Sequence, residues 1–460
     1  MALKLSNTAF QDEALYVHTG HLITGSWSGG DPVYLHPDDF FSGAPMLYPV
    51  FASVLDGIGG LWLARLFSLV CMLAATVCIC WLTNTVSRRP AGSAPGILAA
   101  LVFGWSAPVV FLSNFATFDA ASFALIAAGT AVGAWAATSG VKWRWWVLMG
   151  ALLALAVFIK YGSVIDVPFA YLVALVAGGR PTPGLVARWV LAIVAFVAVV
   201  AGSLLTWASP LTTGIARTTT ERAPLDPAST GELVRFLIPI SAITFLLAAI
   251  GGVVLLRSRP VLAVTLLGGT FAATASQVRM GELVSIHKHV VLGFIFAAPL
   301  AGMVLARVVA AIPGAVTVVG ACWLIAVFGM QQSQKLFDMW PNSSLLVRQL
   351  EYSVHAMPWI RMVGEMPEPV QYAMQDQLKQ WQVTATYEGS FTYKGQTGVP
   401  AYQAALRDNY FQLVFLDGST PIGRALNPAA EGFKLTSTVA TPYTGHAWHI
   451  FQRFDNIPSG

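Results

Sequence analysis

Ten apolar segments succeed one another through the first 330 residues, and they constrain the fold of this chain more than any other feature. They lie at roughly 61–84, 94–113, 120–138, 145–159, 164–178, 186–207, 234–256, 261–278, 290–308 and 311–330. A bilayer needs ~20 apolar residues for each helix that crosses it. Hydrophobic residues make up 56% of the chain and charged residues only 10%, which a water-soluble domain could not cover with polar surface. The sequence therefore predicts an α-helical polytopic membrane protein of about ten spans.

The charged residues between these segments sort by sign. Acidic residues occur only in alternate gaps, whereas the other gaps hold Lys and Arg alone, among them Arg88, Lys142, Arg180, Arg257 and Arg307. Basic gaps are typical of the cytoplasmic side. We therefore expect a protein of the cytoplasmic membrane with both termini and every acidic gap outside. The net charge of +4 comes mostly from the cytoplasmic arginines, and it gives no reason to expect a nucleic-acid partner.

Two breaks in the apolar pattern are informative. The short fourth and fifth segments meet at Lys160-Tyr161-Gly162, which predicts a broken helical pair, because irregular backbone at membrane depth is tolerated where it lines a polar cavity. The stretch from Tyr48 to Ile58 is apolar but too short to cross, and it ends at Gly59-Gly60. We predict that it forms a helix along the outer surface.

The composition changes after Met330, where polar and aromatic residues are mixed and no apolar run approaches a membrane length. We predict a transmembrane domain over 1–330, with a first outer loop at 1–60, and a small extracytoplasmic α/β domain over 331–460. Alternating and helical spacings predict strands at Ile360–Val363, Gln382–Tyr387, Phe411–Leu416 and Ala447–Phe451 and helices at Val370–Lys379 and Tyr402–Asp408.

Charged and polar side chains recur on the outward side of the membrane part. In chain order they are Asp12, Glu13, Tyr48, Arg65, Asp119, Lys160, Tyr161, His287, Lys288 and His289. Taken alone, each has an ordinary explanation. Adjacent carboxylates complement a helix dipole, an Arg anchors a span at the interface, a Tyr fills an interface, and Lys160 either snorkels outward or pairs with Asp166.

The order of these pieces resembles the GT-C glycosyltransferases, specifically the branch with protein mannosyltransferases and the aminoarabinose transferases that act on lipid A, in its bacterial form with a C-terminal outer domain. The matching stretches are Phe10–Tyr16, Ser42–Pro49, Ala64–Leu66, Ala116–Ala120, Phe158–Gly162 and Ser285–His289. Members of this branch begin with a membrane helix that delivers the Asp-Glu loop. The resemblance therefore predicts such a leading helix, whereas the sequence as given starts Met1-Ala2-Leu3-Lys4; either the true start lies upstream of Met1 or this version does without the helix.

The resemblance implies a membrane glycosyltransferase that moves a sugar from a polyprenyl-phosphate donor to an envelope acceptor, which is a lipid, a glycan or a protein hydroxyl. Asp12 would be the general base of an inverting transfer, supported by Asp119 and Glu13. Lys160 would bind the leaving phosphate. The other substrate-binding residues that the resemblance implies are Tyr161, His287, Lys288, His289, Arg65 and Tyr48.

Three alternatives stay open. We expect no cofactor, but His287 and His289 with Asp12 would form a metal site, although a His-x-His pattern alone is weak. A transporter or flippase for a lipid-linked or anionic solute would use Lys160 and Asp166 along its path, yet it should show repeated halves, whereas here the acids cluster on one face. A third possibility is an envelope protein that keeps the fold only for binding.

Overall fold

The computed structural model of the protein describes residues 8–33, 41–220, 227–283, 285–311, 315–338, 342–387, 391–440 and 447–453. The chain forms two compact units. The helical unit comprises Met1–Leu3, Pro37–Tyr48 and Ile58–Phe337, and the mixed unit comprises Lys4–His36, Pro49–Gly57 and Asp338–Gly460. This grouping differs from the predicted ranges 1–330 and 331–460, because parts of the first outer loop pack with the C-terminal residues.

Most of the described chain is α-helical. The helices up to residue 215 are α1 (Gln11–Trp27), α2 (Tyr48–Ser87), α3 (Ala94–Gly104), α4 (Ala107–Leu112), α5 (Phe118–Ser139), α6 (Arg144–Ile159), α7 (Val167–Val176), α8 (Pro183–Thr206) and α9 (Ala208–Ile215). The later helices are α10 (Thr230–Leu256), α11 (Pro260–Met280), α12 (Ile286–Ala311), α13 (Ala315–Asp338), α14 (Ser344–Ala356), α15 (Glu368–Ala373), α16 (Gly398–Arg407) and α17 (Pro421–Ala425).

The helical unit confirms the prediction of a multi-pass membrane protein. Within the described residues, α2, α5, α8, α10, α11 and α12 are long and apolar enough to cross a bilayer. The predicted spans at 94–113, 145–159 and 164–178 correspond to shorter helices, namely α3 with α4, α6, and α7. The last predicted span overlaps α13, which is not among the six described helices that meet both criteria. The number of ten spans therefore stays a prediction.

Both predicted interruptions are present. Helix α6 ends at Ile159, Lys160 is extended with φ −145° and ψ 108°, and a 3-10 turn over Tyr161–Ile165 leads into α7. In α2 the helical geometry is lost at Gly59 and Gly60, and Gly60 has φ +69°, a conformation that favours glycine. The short segment that begins at Tyr48 is thus separated by a kink from the apolar span that follows it.

The segment 42–44 forms backbone hydrogen bonds with both sides of the helix break at Lys160. The Ala44 N–H donates to the Phe158 carbonyl oxygen at 2.7 Å, and the Tyr161 N–H donates to the Ser42 carbonyl oxygen at 2.7 Å. Between these bonds Gly43 approaches so closely that a Cβ would lie 2.0 Å from the Ile159 carbonyl oxygen. The pairing satisfies backbone groups that a broken helix leaves without partners inside itself.

The mixed unit contains a five-stranded sheet in the order β2-β1-β5-β7-β6 and a short β3-β4 hairpin. The strands are β1 (Met362–Gly364), β2 (Val383–Ala385), β3 (Thr392–Tyr393), β4 (Gln396–Thr397), β5 (Leu413–Leu416), β6 (Lys434–Ala440) and β7 (Ala447–Gln452). Strand β1 pairs in parallel with β2 and β5, whereas β7 is antiparallel to β5 and β6. The four predicted strands are confirmed. Strand β6 was missed because most of its side chains are exposed and its sequence lacks a clear apolar alternation.

The central strands are buried on both faces. Met362, Leu413 and Phe415 pack in one apolar cluster with residues of α14 and α15. The intervening residues Val363 and Val414 pack in a second cluster with residues of α16 and α17. This alternation follows from the two-residue period of a strand, and it makes the unit an α/β domain. The predicted helices at 370–379 and 402–408 correspond to α15 and α16 with earlier starts.

We expect Gly43→Ala to lower the melting temperature in detergent, with a loss of about 1–3 kcal/mol, because the added methyl group collides with backbone rather than with a movable side chain. Gly184→Ala is the matched control, since nothing lies within 4 Å of a Cβ at that helical position, and it should melt at or slightly above the wild-type temperature. Equal melting temperatures for Gly43→Ala and the wild type would contradict the close packing of loop and break.

Candidate functional site

A buried ion pair lies at the start of α5 in the helical unit. Asp119 is in the first turn of that helix and is fully buried, and Lys160 at the break after α6 is 2% exposed. The Lys160 ammonium contacts Asp119 Oδ1, while the Thr117 hydroxyl donates to Asp119 Oδ2 at 2.8 Å. Lys160 is therefore not an exposed snorkelling residue. Its observed acidic partner is Asp119 rather than the predicted alternative Asp166.

Aromatic rings and a second lysine surround this pair. The Lys160 ammonium lies 5.5 Å from the ring centroids of both Phe118 and Phe123. Lys288, in the first turn of α12, is 5% exposed and lies 5.1 Å from the ring centroid of Phe115. It is also within electrostatic range of Asp119. Rings at such distances stabilise cations by their quadrupole, so the helical unit holds two buried ammonium groups beside one carboxylate.

Two of the predicted tyrosines belong to the same region. Tyr48 is buried, and its ring meets that of Phe118 edge-on at 6.5 Å between centroids. Tyr161 is buried in an apolar cluster with Ala44, Phe158 and Leu211. The structure thus brings Tyr48, Tyr161, Asp119 and Lys160 together, which the sequence order alone did not establish.

The remaining predicted residues of the helical unit have other surroundings. His287 packs edge-on against Phe111 at 5.3 Å between ring centroids. His289 Nδ1 lies 2.5 Å from Gln277 Oε1 on α11, and Arg65 is buried within α2. Among the described residues no three His, Cys, Asp or Glu side chains form a group that could hold a metal ion.

The Asp-Glu pair of the first loop lies in the mixed unit at the start of α1. Glu13 is fully buried, and its Oε2 accepts the Phe10 N–H at 3.0 Å, the geometry of a carboxylate that caps a helix N-terminus. Asp12 is half-buried. The two adjacent carboxylates therefore differ in their surroundings. Glu13 makes the helix-capping contact that the sequence analysis gave as the ordinary explanation for an acidic residue at this place.

Sequence reasoning missed three polar residues beside Asp12. Gln11 Nε2 donates to Glu368 Oε1 at 3.4 Å and contacts the Tyr387 hydroxyl, which lies 3.5 Å from Glu368 Oε2. Burial raises the pKa of the Glu368 carboxyl, the hydrogen bonds from Gln11 and Tyr387 lower it, and the charge of Asp12 adds a smaller rise, so that the pKa is about 7. Glu368 follows β1 and Tyr387 follows β2, so their meeting required knowledge of the strand order. The sequence could have indicated this pair, because residues that follow parallel strands lie at the same edge of the sheet.

No protein-family model and no curated protein sequence matches this chain. Solved structures do match it. Apo ArnT from Cupriavidus metallidurans superposes with a TM-score of 0.60 at 12% identity, over 97% of this chain and 93% of that one. ArnT bound to undecaprenyl phosphate gives 0.55 at 13% identity, over 98% and 95%. The chain has the GT-C fold.

A third GT-C structure supports the same fold. The oligosaccharyltransferase of Archaeoglobus fulgidus, tethered to an acceptor peptide, superposes with a TM-score of 0.56 at 10% identity, over 96% of this chain and 70% of that one. At such low identities the likeness shows the fold alone, so any statement about chemistry depends on the residues described above.

We expect Lys160→Met to destabilise the protein by about 3–5 kcal/mol, because it leaves Asp119 buried without its countercharge. The double variant Lys160→Met/Asp119→Leu should recover much of that loss. Lys142→Met, at an exposed position, serves as the control. Thermal unfolding in detergent measures all three, and a double variant no more stable than Lys160→Met would show that the pair is not coupled.

The raised pKa of Glu368 predicts a pH-dependent stability. The folded chain holds this proton up to about pH 7, whereas an exposed carboxyl releases it near its usual value of 4.5. The ionised carboxylate therefore destabilises the fold increasingly as pH rises through that window. We expect Glu368→Gln to melt above the wild type at about pH 8, by up to about 3 kcal/mol. Near pH ~4.5 the two should coincide, and a constant difference would contradict the assignment.

Proposed function

We propose that this chain is a membrane glycosyltransferase that moves a sugar from a polyprenyl-phosphate donor to a hydroxyl of an envelope lipid, glycan or protein. The observation that carries the proposal is the buried Asp119–Lys160 pair, with Lys288 nearby, at a helix break in a chain of GT-C fold. ArnT has been solved with undecaprenyl phosphate, which supports this class of donor. The sorting of charges along the sequence supports an active site on the extracytoplasmic face of the cytoplasmic membrane.

The proposed reaction is a direct displacement with inversion. The acceptor oxygen attacks the anomeric carbon, the bond from that carbon to the phosphate oxygen breaks, and its electron pair leaves with the polyprenyl phosphate. Asp12 takes the proton of the acceptor hydroxyl as general base, a contribution of roughly 10² to 10⁴ in rate. The transition state has oxocarbenium character, as in glycoside hydrolysis.

The two buried lysines are suited to the leaving phosphate. An ammonium group in a region of low dielectric constant stabilises developing negative charge far more than it would in water. The contacts of Asp119 with Lys160 and Thr117 support a role in positioning the Lys160 ammonium. The further residues that we propose to take part in binding or catalysis are Glu13, Tyr48, Arg65, Tyr161, His287 and His289.

A comparison of envelope glycans from cells with and without the protein identifies the product, and purified protein in liposomes then provides the assay. We expect Asp12→Asn to lower kcat by about 10²-fold or more with little change in KM. Asp31→Asn is the control, because Asp31 forms an exposed ion pair with Lys379, and such a pair contributes little. Full transfer by Asp12→Asn would refute the base assignment.

The same assay tests two further expectations. Transfer should continue in excess chelator, because we expect no cofactor. Solute uptake into the liposomes without any glycosylated product would favour the transporter alternative over a transferase.

A further inference from the structure

The carboxyl ends of the three parallel strands in the mixed unit form one polar edge. Glu365 and Glu368 follow β1, Tyr387 follows β2, and Asp417 and Thr420 follow β5. Ligands and reacting groups of open α/β sheets are found at this edge. Side chains at this edge are therefore candidates to serve the reaction from outside the membrane spans.

The two glutamates at this edge have different surroundings. Glu365 accepts hydrogen bonds from the backbone of the loop after β5, including the Thr420 N–H at 2.6 Å, and from the Thr420 hydroxyl at 2.8 Å. These bonds explain Glu365 as a residue that holds the loop after β5 in place. Glu368 is 6% exposed, and within the described chain neither a backbone N–H of such a loop nor a Lys or Arg binds its carboxylate. Its side-chain partners there are Gln11 and Tyr387.

Helix α1 is fixed against α15 at a second point. His21 on α1 lies 2.8 Å from Asp56 Oδ2, and the Tyr372 hydroxyl of α15 donates to Asp56 Oδ1 at 2.6 Å. Asp56, near the start of α2, thus connects both helices. The Asp56 bridge and the Gln11–Glu368 contact together fix the position of α1 on α15. They therefore also restrict the side chains in the first turn of α1, which contains Asp12.

Asp12 follows Gln11 directly and lies within electrostatic range of both Glu368 and Tyr387. We propose that Glu368 is a positioning residue for Asp12, which it orients through Gln11 and Tyr387, and that its negative charge favours transfer of the acceptor proton to Asp12. This proposal rests on the proposed function, in which Asp12 is the general base. Glu368 itself does not contact the sugar or receive the proton.

The chemistry follows from repulsion between like charges. When the acceptor proton moves to Asp12, one of two neighbouring negative charges disappears, so an ionised Glu368 favours the transfer. The raised pKa of Glu368, about 7, places its ionisation in the working range of pH, and strongly shifted carboxyls of this kind cluster at functional sites. The titratable groups around it are Asp12 on α1, Tyr387 after β2 and, beyond Tyr387, Asp417 after β5.

The test measures kcat and KM of the full-length protein in liposomes from about pH 5 to about pH 9. The wild type should gain activity as Glu368 ionises near pH ~7. Glu368→Gln should lack that rise, with kcat about tenfold lower at pH ~8, an unchanged KM, and a rate within about twofold of the wild type near pH ~5.5. A purely structural role would lower kcat equally at every pH, and that result would overturn the proposal.

Two further variants keep the test decisive. Tyr387→Phe retains the ring but removes the hydroxyl between Gln11 and Glu368, and we expect a severalfold lower kcat with an unchanged KM. A wild-type kcat for Tyr387→Phe would refute the positioning role even if Glu368→Gln failed to fold. Glu351→Gln, whose carboxylate makes an exposed contact with Gln377, is the control and should follow the wild-type profile.

The Asp12→Asn variant distinguishes failure of the base assignment from failure of the positioning role. If Asp12→Asn retains full transfer, the proposed base is wrong and the role of Glu368 falls with it. If Asp12→Asn is inactive while Glu368→Gln keeps the wild-type pH profile, only the positioning role is wrong.

Discussion

The buried ion pair between Asp119 and Lys160 is the interaction on which the helical unit depends. It costs free energy to transfer two opposite charges from water into an apolar bundle, and removal of either charge leaves the other buried without a partner. The pair joins the start of α5 to the break after α6, and the loop around Gly43 closes that break through backbone hydrogen bonds. The irregular backbone at Lys160 is thus stabilised by contacts from two other parts of the chain.

In the mixed unit, too, buried charged side chains need partners from other parts of the chain. Its parallel strands are buried on both faces, so their polar side chains gather at the strand ends. Glu365 accepts hydrogen bonds there from the loop after β5, whereas Glu368 is held by side chains from α1 and from the end of β2. A carboxylate kept in such surroundings carries a cost in stability, and that cost is typical of residues retained for function.

Much of the architecture was predictable because it follows from local patterns. Six long apolar helices of the described chain, the break at Lys160, the kink at Gly59-Gly60 and four strands of the C-terminal sheet appear where the sequence predicted them. The exposed strand β6 did not, since a strand with little apolar alternation resembles a loop. Likewise Glu13 and Asp12 have the same charge and are adjacent, and only the structure showed that Glu13 caps α1.

By itself the sequence determined a helical membrane protein followed by a small α/β domain, because hydropathy and periodicity are properties of short windows. It also determined which residues were candidates for the chemistry. Only the tertiary structure decided their partners: Asp119 for Lys160, and Gln11 and Tyr387 for Glu368. These residues are far apart in the chain, and a buried charge must find its partner in space, which no local pattern specifies.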